Sequence, residues 1–307
     1  MDKGRLGLNL EEQLATGMAI LINLLIASFF QWGRAWDLFL INCLIILGVL
    51  AINIAQRRFH HLWVHYLKDW YVVALLLIIY LENRRLIPLI NPHDFDLFLI
   101  EADRFLFLGH DPTILMEKIT CPILTEVLQI IYASFYFLPL SLCLILYRKE
   151  SPVEFHSVAS TILMGFYLSF IGYYLTPAIG PRFTLANQQA LPLSGLFLFD
   201  KLQYIIAQIE GVMRDCCPSG HALVSVLTML LAWRSARGFF PVSLVWAALI
   251  LFSTVYLRYH YVADLIIGIS LGFAVYRWGE PMARAIIHPQ QVDISLPTDK
   301  HFPKVRE

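Results

Sequence analysis

The sequence predicts an all-α fold, a polytopic transmembrane helical bundle of about eight spans (six to eight), with interfacial helices on the face that carries its polar motifs. Three observations lead there. The 307 residues are 58% hydrophobic and only 15% charged, whereas soluble domains run nearer half apolar and a quarter charged. The apolar residues come in blocks, several of them close to the twenty or so needed to cross a hydrocarbon core as a helix. The charged residues between the blocks gather at their ends.

The N-terminal "MDKGRLGLNLEEQ" is polar and lacks the pattern of a cleaved signal, so the first apolar run is expected to be a retained span. Spans are expected at 14–30, 36–55, 69–82, 122–147, 155–176, 218–236, 239–258 and 261–279. The third is short and ends in "ENRR"; tight turns join the last three. His60, His61 and His65 lie among Arg57, Arg58 and Lys68 and read as an interfacial polar loop rather than a metal site. In the long connection 83–121, "FDLFLIEADRFLFLGHDP" is too charged to span and too apolar for a free loop, which predicts an interfacial helix. A second such helix is expected within 195–212. The chain then divides into additional spans (1–68), a membrane core (69–280) and a polar tail (281–307).

Lysines and arginines set the orientation. With eight spans, most of them, including Arg57, Arg58, Arg148, Lys149, Arg234 and Arg237, share one face with both termini. That face is expected to be cytoplasmic. A formal net charge of +0 gives no argument for nucleic acid as a partner. The five cysteines follow no metal spacing and no secreted framework. A disulfide from Cys121 to Cys216 or Cys217 is conceivable, and unpaired thiols are the favoured reading.

Span parity brings three remote segments to the opposite, non-cytoplasmic face. They are "TPAIGPRF" with Arg182, "CCPSGH" with Ser219, Gly220 and His221, and "YLRYHYVADLIIG" with Arg258, His260 and Asp264. A helix beginning at "PSGH" presents unpaired N–H groups and the positive end of its dipole to an anion. Ser219 adds a hydroxyl, and Gly220 lets a ligand approach the backbone. Arg182 and Arg258 can fork onto phosphate oxygens. His260 and Asp264, four apart, share a helical face, so the carboxylate can orient one ring nitrogen and leave the other as nucleophile or base. His221 remains as a general acid. Together these residues describe a metal-free phosphoryl-transfer site. A zinc reading of His221, His260 and Asp264 is disfavoured by the two arginines beside the cation, and a serine hydrolase lacks its Gly-x-Ser-x-Gly elbow.

Pro218–His221, followed some forty residues on by His260-x-x-x-Asp264, resembles the type 2 phosphatidic acid phosphatase superfamily, membrane lipid phosphatases and phosphotransferases that share a helical core with vanadium haloperoxidases. Its signature has three parts. The second, Pro-Ser-Gly-His, is complete here. The third matches at Ser253, His260 and Asp264, with Thr254 where an arginine is expected and Arg258 one turn on. The first matches only at Arg182, with Leu175 in the lysine position and Phe183 in place of proline. "TPAIGPRF", "YLRYHYVADLIIG" and "YASFYFLP" further resemble the inositol phosphorylceramide synthase branch.

The resemblance implies catalytic His260, His221 and Asp264. His260 would form a phosphohistidine, Asp264 orient it and His221 protonate the leaving group, while Arg182, Ser219, Gly220 and Arg258 hold the phosphate. It implies no cofactor and no metal. The expected partners are the bilayer, a lipid phosphate substrate and, for a transferase, a lipid alcohol acceptor. Phosphatase and phosphotransferase stay open, as does a non-catalytic lipid-binding or lipid-translocating protein on the same fold.

Overall fold

The structure is a computed structural model describing residues 7–29, 32–58, 62–149 and 151–292. Its elements are α1 (Leu10–Ser28), α2 (Trp32–Arg58), α3 (Leu62–Ile90), α4 (Asp96–Leu106), α5 (Pro112–Leu115), α6 (Pro122–Ala133), α7 (Phe137–Arg148), α8 (Pro152–Leu175), α9 (Pro181–Thr184), α10 (Phe199–Glu210), α11 (Gly220–Ser235), α12 (Phe240–Tyr256), α13 (Val262–Ala274) and α14 (Glu280–Val292). A π-helical turn, Val275–Gly279, joins the last two. The fold is all-α, and an isolated parallel bridge pairs Ala178 with Asp215.

Helix occurs at each expected span. Among the described residues, four stretches are long and apolar enough to cross a membrane: Leu10–Ser28, Gly33–Gln56, Pro152–Leu175 and Val262–Ile287. A fifth arises if α6 and α7, bent by 47° at their break, count together. By length and composition, three of the expected spans fall outside this set. α3 carries Lys68 and Asp69 at one end and Glu82, Arg84 and Arg85 towards the other, while α11 and α12 have 16 and 17 residues.

Three boundaries move. Residues 62–68, read as part of a loop, begin α3, and the division expected at 68 falls inside that helix. Lys68 is buried there and donates to Asn53 Oδ1 at 3.1 Å. His60 and His61 lie outside the described residues. Residues 281–292, grouped with the tail, are helical, and Ala283 and Ile287 pack against Leu10. The remainder of the tail, 293–307, is also outside the described residues.

The main core takes Ala15 and Ile22 from α1, Leu142 from α7, Val158 and Phe166 from α8, and Leu223 and Leu227 from α11, so the added N-terminal spans share one interior with the rest. α11 is the hub, packing on α8, α12 and α13. Its approach to α13 depends on small residues four apart. A methyl group at Gly272 would stand 2.9 Å from the Leu223 carbonyl oxygen, and one at Gly268 would strike that of Ser219. These close passages set the start of α11 beside the start of α13.

The two interfacial segments are helical, as α4 and α10. α4 buries Asp96, Leu99, Ile100 and Asp103 and leaves Leu97, Phe98 and Phe105 exposed. An apolar outer face on a short, charged helix suits the edge of a bilayer.

Candidate active site

The site is built where four chain segments meet: the turn after α8, the start of α11, the α12–α13 connection and the α6–α7 break. A cavity of about 450 Å³ there is lined by Arg182, Gly220, His221, Tyr259 and His260, with aromatic walls from Tyr132, Phe135 and Phe170.

His260 lies in the short connection between α12 and α13 and is buried. Its Nδ1 is 3.0 Å from Asp264 Oδ1, which leaves Nε2 as the ring nitrogen not held by the carboxylate. Asp264 is itself fixed, its Oδ2 accepting the Tyr261 N–H at 2.9 Å and the Cys216 thiol at 3.0 Å. Burial alone would lower the His260 pKa. The Asp264 carboxylate beside it and the more distant Asp215 outweigh that, and the net direction is upward.

His221 stands on the first turn of α11, half-buried. Its ring stacks on Tyr132 at 4.6 Å between centroids and lies 4.3 Å from that of Phe135. The break between α6 and α7 falls at these aromatics, so the bend supplies the shelf on which the imidazole rests. The centroids of His221 and His260 are 5.4 Å apart.

The phosphate-binding candidates divide. Arg182, in α9, lines the cavity with its guanidinium over the Tyr259 ring, 5.8 Å from the centroid. Gly220 also lines it. Ser219 is fully buried, and its hydroxyl caps α11 by accepting the Ala222 N–H at 3.2 Å. Arg258 is committed elsewhere. It donates to Glu117 Oε1 at 2.9 Å, Gln189 Oε1 at 3.0 Å and the Leu191 carbonyl at 2.7 Å, and it is not among the residues lining the cavity. Arg258 has φ +65° in the turn that ends α12, and the remote Glu117 and the 189–191 loop hold its side chain away from the cavity. Leu175, at the lysine position of the first motif, is exposed and outside the cavity wall.

Acids that the sequence shows only as interfacial charge hold the segments around the site. Asp96 accepts the N–H groups of Ile179 and Gly180, both at 2.8 Å, and the Tyr261 hydroxyl at 2.8 Å. Asp103 accepts those of Val262 at 3.0 Å and Ala263 at 2.7 Å, capping α13 two residues after His260. The two acids are seven apart, hence on one face of α4, and that spacing was the available signal. Burial pushes the Asp103 carboxyl up to about 6 despite the two N–H donors. Asp215 lines the cavity and accepts the Tyr80 hydroxyl at 2.8 Å; burial raises it to about 6 as well. No pattern in the sequence marked it.

All five cysteines are free of disulfides. Among the described residues, Cys216, His260 and Asp264 place ligand-type atoms within 4.8 Å of one another, a group that could hold a metal ion. Burial and Asp264 raise the Cys216 pKa well above the usual thiol range. The thiol therefore serves as a donor to Asp264, and a metal would have to displace that proton.

The chemistry available is nucleophilic attack by an oriented imidazole, proton transfer by a second imidazole and stabilisation of an oxyanion by a guanidinium and a helix N-terminus. No curated protein and no solved structure matches the chain. A family-level sequence match covers residues 97–278, more than half of the chain, and takes in Asp103, His221, His260 and Asp264; the chain belongs to the PAP2 superfamily.

Proposed function

We propose that the protein is a membrane-embedded lipid-phosphate phosphatase or phosphotransferase working through a phosphohistidine on His260. Membership of the PAP2 superfamily supports phosphatase-type chemistry on lipid phosphates. The observation that carries the mechanism is the pairing of His260 Nδ1 with Asp264, with His221 facing the same cavity.

His260 Nε2 attacks phosphorus with its lone pair as the bond from phosphorus to the leaving oxygen breaks. His221 gives its proton to that oxygen. Asp264 stabilises the positive charge on the His260 ring, while Arg182 and the N-terminus of α11 hold the phosphoryl oxygens. An acceptor O–H then attacks phosphorus, its proton passes to His221, and the phosphorus–nitrogen bond breaks to restore His260. With water the net reaction is hydrolysis; with a lipid alcohol it is transfer, as in the inositol phosphorylceramide synthase branch. In this reading Arg258 positions the site through Glu117 rather than touching phosphate. The site faces the non-cytoplasmic side and the termini the cytoplasm.

A lipid substrate is supported by a second cavity of about 390 Å³. It is lined almost wholly by apolar side chains of α3, α7 and α8, and shares Leu76, Leu77, Tyr80, Tyr136 and Phe166 with the reactive one.

The test is turnover of a panel of lipid phosphates and phosphodiesters by detergent-purified protein with chelator present, beside His260→Ala and His221→Ala. Loss of free phosphate release, or of new phospholipid, in both folded variants is expected. Full biological activity in folded His260→Ala would overturn the enzyme reading in favour of a lipid-binding or lipid-translocating protein.

A further inference from the structure

Arginines crowd the site end of the molecule, and most are spoken for. Arg104 pairs with Asp111 at 2.9 Å, Arg214 with Asp94 at 2.8 Å and Arg258 with Glu117 at 2.9 Å; Arg85 pairs with Asp37. Arg182 and Arg84 form no ion pair among the described residues, and both line the reactive cavity.

Arg84 reaches the cavity because of its place on α3. Consecutive helical residues point about 100° apart. The run "ENRR" therefore splits: Glu82 accepts from Asn42 on α2 and Asn83 accepts the Tyr174 hydroxyl, while Arg85 turns to Asp37. Arg84 is left facing the cavity, exposed, with its guanidinium lying along the chain at Gly211. A methyl group at Gly211 would come within 3.1 Å of Arg84 Nη1. Arg84 also lies before the segment that matches the family, which starts at residue 97.

A phosphoryl site needs more positive charge than Arg182 alone provides, since charge develops on several equatorial oxygens during transfer. Leu175 cannot supply it, and Arg258 is neutralised by Glu117. We propose that Arg84 is a substrate-binding residue of this site, supplying from α3 the second guanidinium for the anionic headgroup of the lipid. The proposal rests on the lipid-phosphate reading above. It makes the N-terminal part of the chain a direct contributor to the site.

The experiment compares full-length wild type, Arg84→Ala, Arg84→Lys and Arg85→Ala in detergent. The readouts are KM for a lipid phosphate that wild type turns over, and thermal stabilisation by orthovanadate, which needs no turnover. Loss of one charge-assisted contact should weaken both about tenfold or more in Arg84→Ala. Arg84→Lys should recover part of the loss, and Arg85→Ala should behave as wild type. Folded Arg84→Ala with wild-type KM and wild-type vanadate stabilisation would overturn the role of Arg84 and leave the phosphatase reading standing. Wild-type protein that neither turns over a lipid phosphate nor responds to vanadate would overturn both.

Discussion

The buried Arg258 and the largely buried Glu117 form an ion pair at 2.9 Å that ties the end of α12 to the turn before α6. Its guanidinium also holds Gln189 and the Leu191 carbonyl, so one side chain fastens three segments around the site.

Arg258→Ala should therefore act mainly on stability. Removing one partner of a buried pair leaves the other charge uncompensated, at a cost of about 3 kcal/mol. Thermal unfolding in detergent should show a lower midpoint, with partial recovery when Glu117→Gln is added. Orthovanadate affinity should fall less than in Arg182→Ala. A loss of vanadate binding matching that of Arg182→Ala, without loss of stability, would return Arg258 to the phosphate site.

The pH profile should carry the signature of His260. Attack requires the neutral ring, and the neighbouring carboxylates hold its pKa above the ordinary imidazole value of about 6.5. kcat/KM should fall as pH drops through that raised pKa. In Asp264→Asn the ring stays buried but loses the carboxylate that raises its pKa, so the acid limb should move to lower pH as the maximal rate falls by about a hundredfold or more. An unmoved acid limb would assign it to another group.

Asp103 should leave a mark on stability. Its folded pKa of about 6 lies above the ordinary 3.8, so between these values the folded state takes up the proton before the unfolded state does. Its contribution to stability is present below pH 3.8 and is lost as pH rises through 6. The difference in unfolding midpoint between wild type and Asp103→Asn should change sign-consistently across that window, with wild type gaining as pH falls. Asp215 has the same sense and remains in both proteins, so it cancels in the difference. Asp103→Ala should lose the cap outright, about 1 kcal/mol.

Gly220 lies against Tyr173, whose hydroxyl oxygen would be 2.5 Å from an added Cβ. Gly220→Ala should reduce turnover by shifting the start of α11, and Tyr173→Phe should restore part of it. Gly180 offers no such rescue. It has φ +100°, and its Cβ would stand 2.7 Å from the backbone oxygen of Tyr259. Gly180→Ala should lower the yield of folded protein, read by size-exclusion chromatography. Equal behaviour of the two alanine variants would refute this distinction.

What the sequence made legible follows from the range of the forces involved. Span positions depend on local hydropathy, and helices occur at each. The expected meeting of Arg182, Gly220, His221 and His260 corresponds to one cavity. The direction of a long side chain is a different matter. Arg258 reads in the sequence as a phosphate ligand, and its direction is set by Glu117 and the 189–191 loop, segments that only packing brings to it. The acids of α4 were visible, but their partners are backbone N–H groups some eighty and a hundred and sixty residues away. Backbone donors carry no identity that a sequence could reveal.

The wall that Leu76, Leu77, Tyr80, Tyr136 and Phe166 share between the two cavities bears on how a lipid reaches the chemistry. Drawing a chain from oil into water costs about 0.8 kcal/mol for each methylene. In the proposed reaction, a hollow of hydrocarbon character adjoining His221 and His260 would let a tail stay in oil-like surroundings throughout a turnover. Substrate capture and product escape then become sideways movements with little change in solvation, and the rate can be governed by how fast neighbouring lipids exchange.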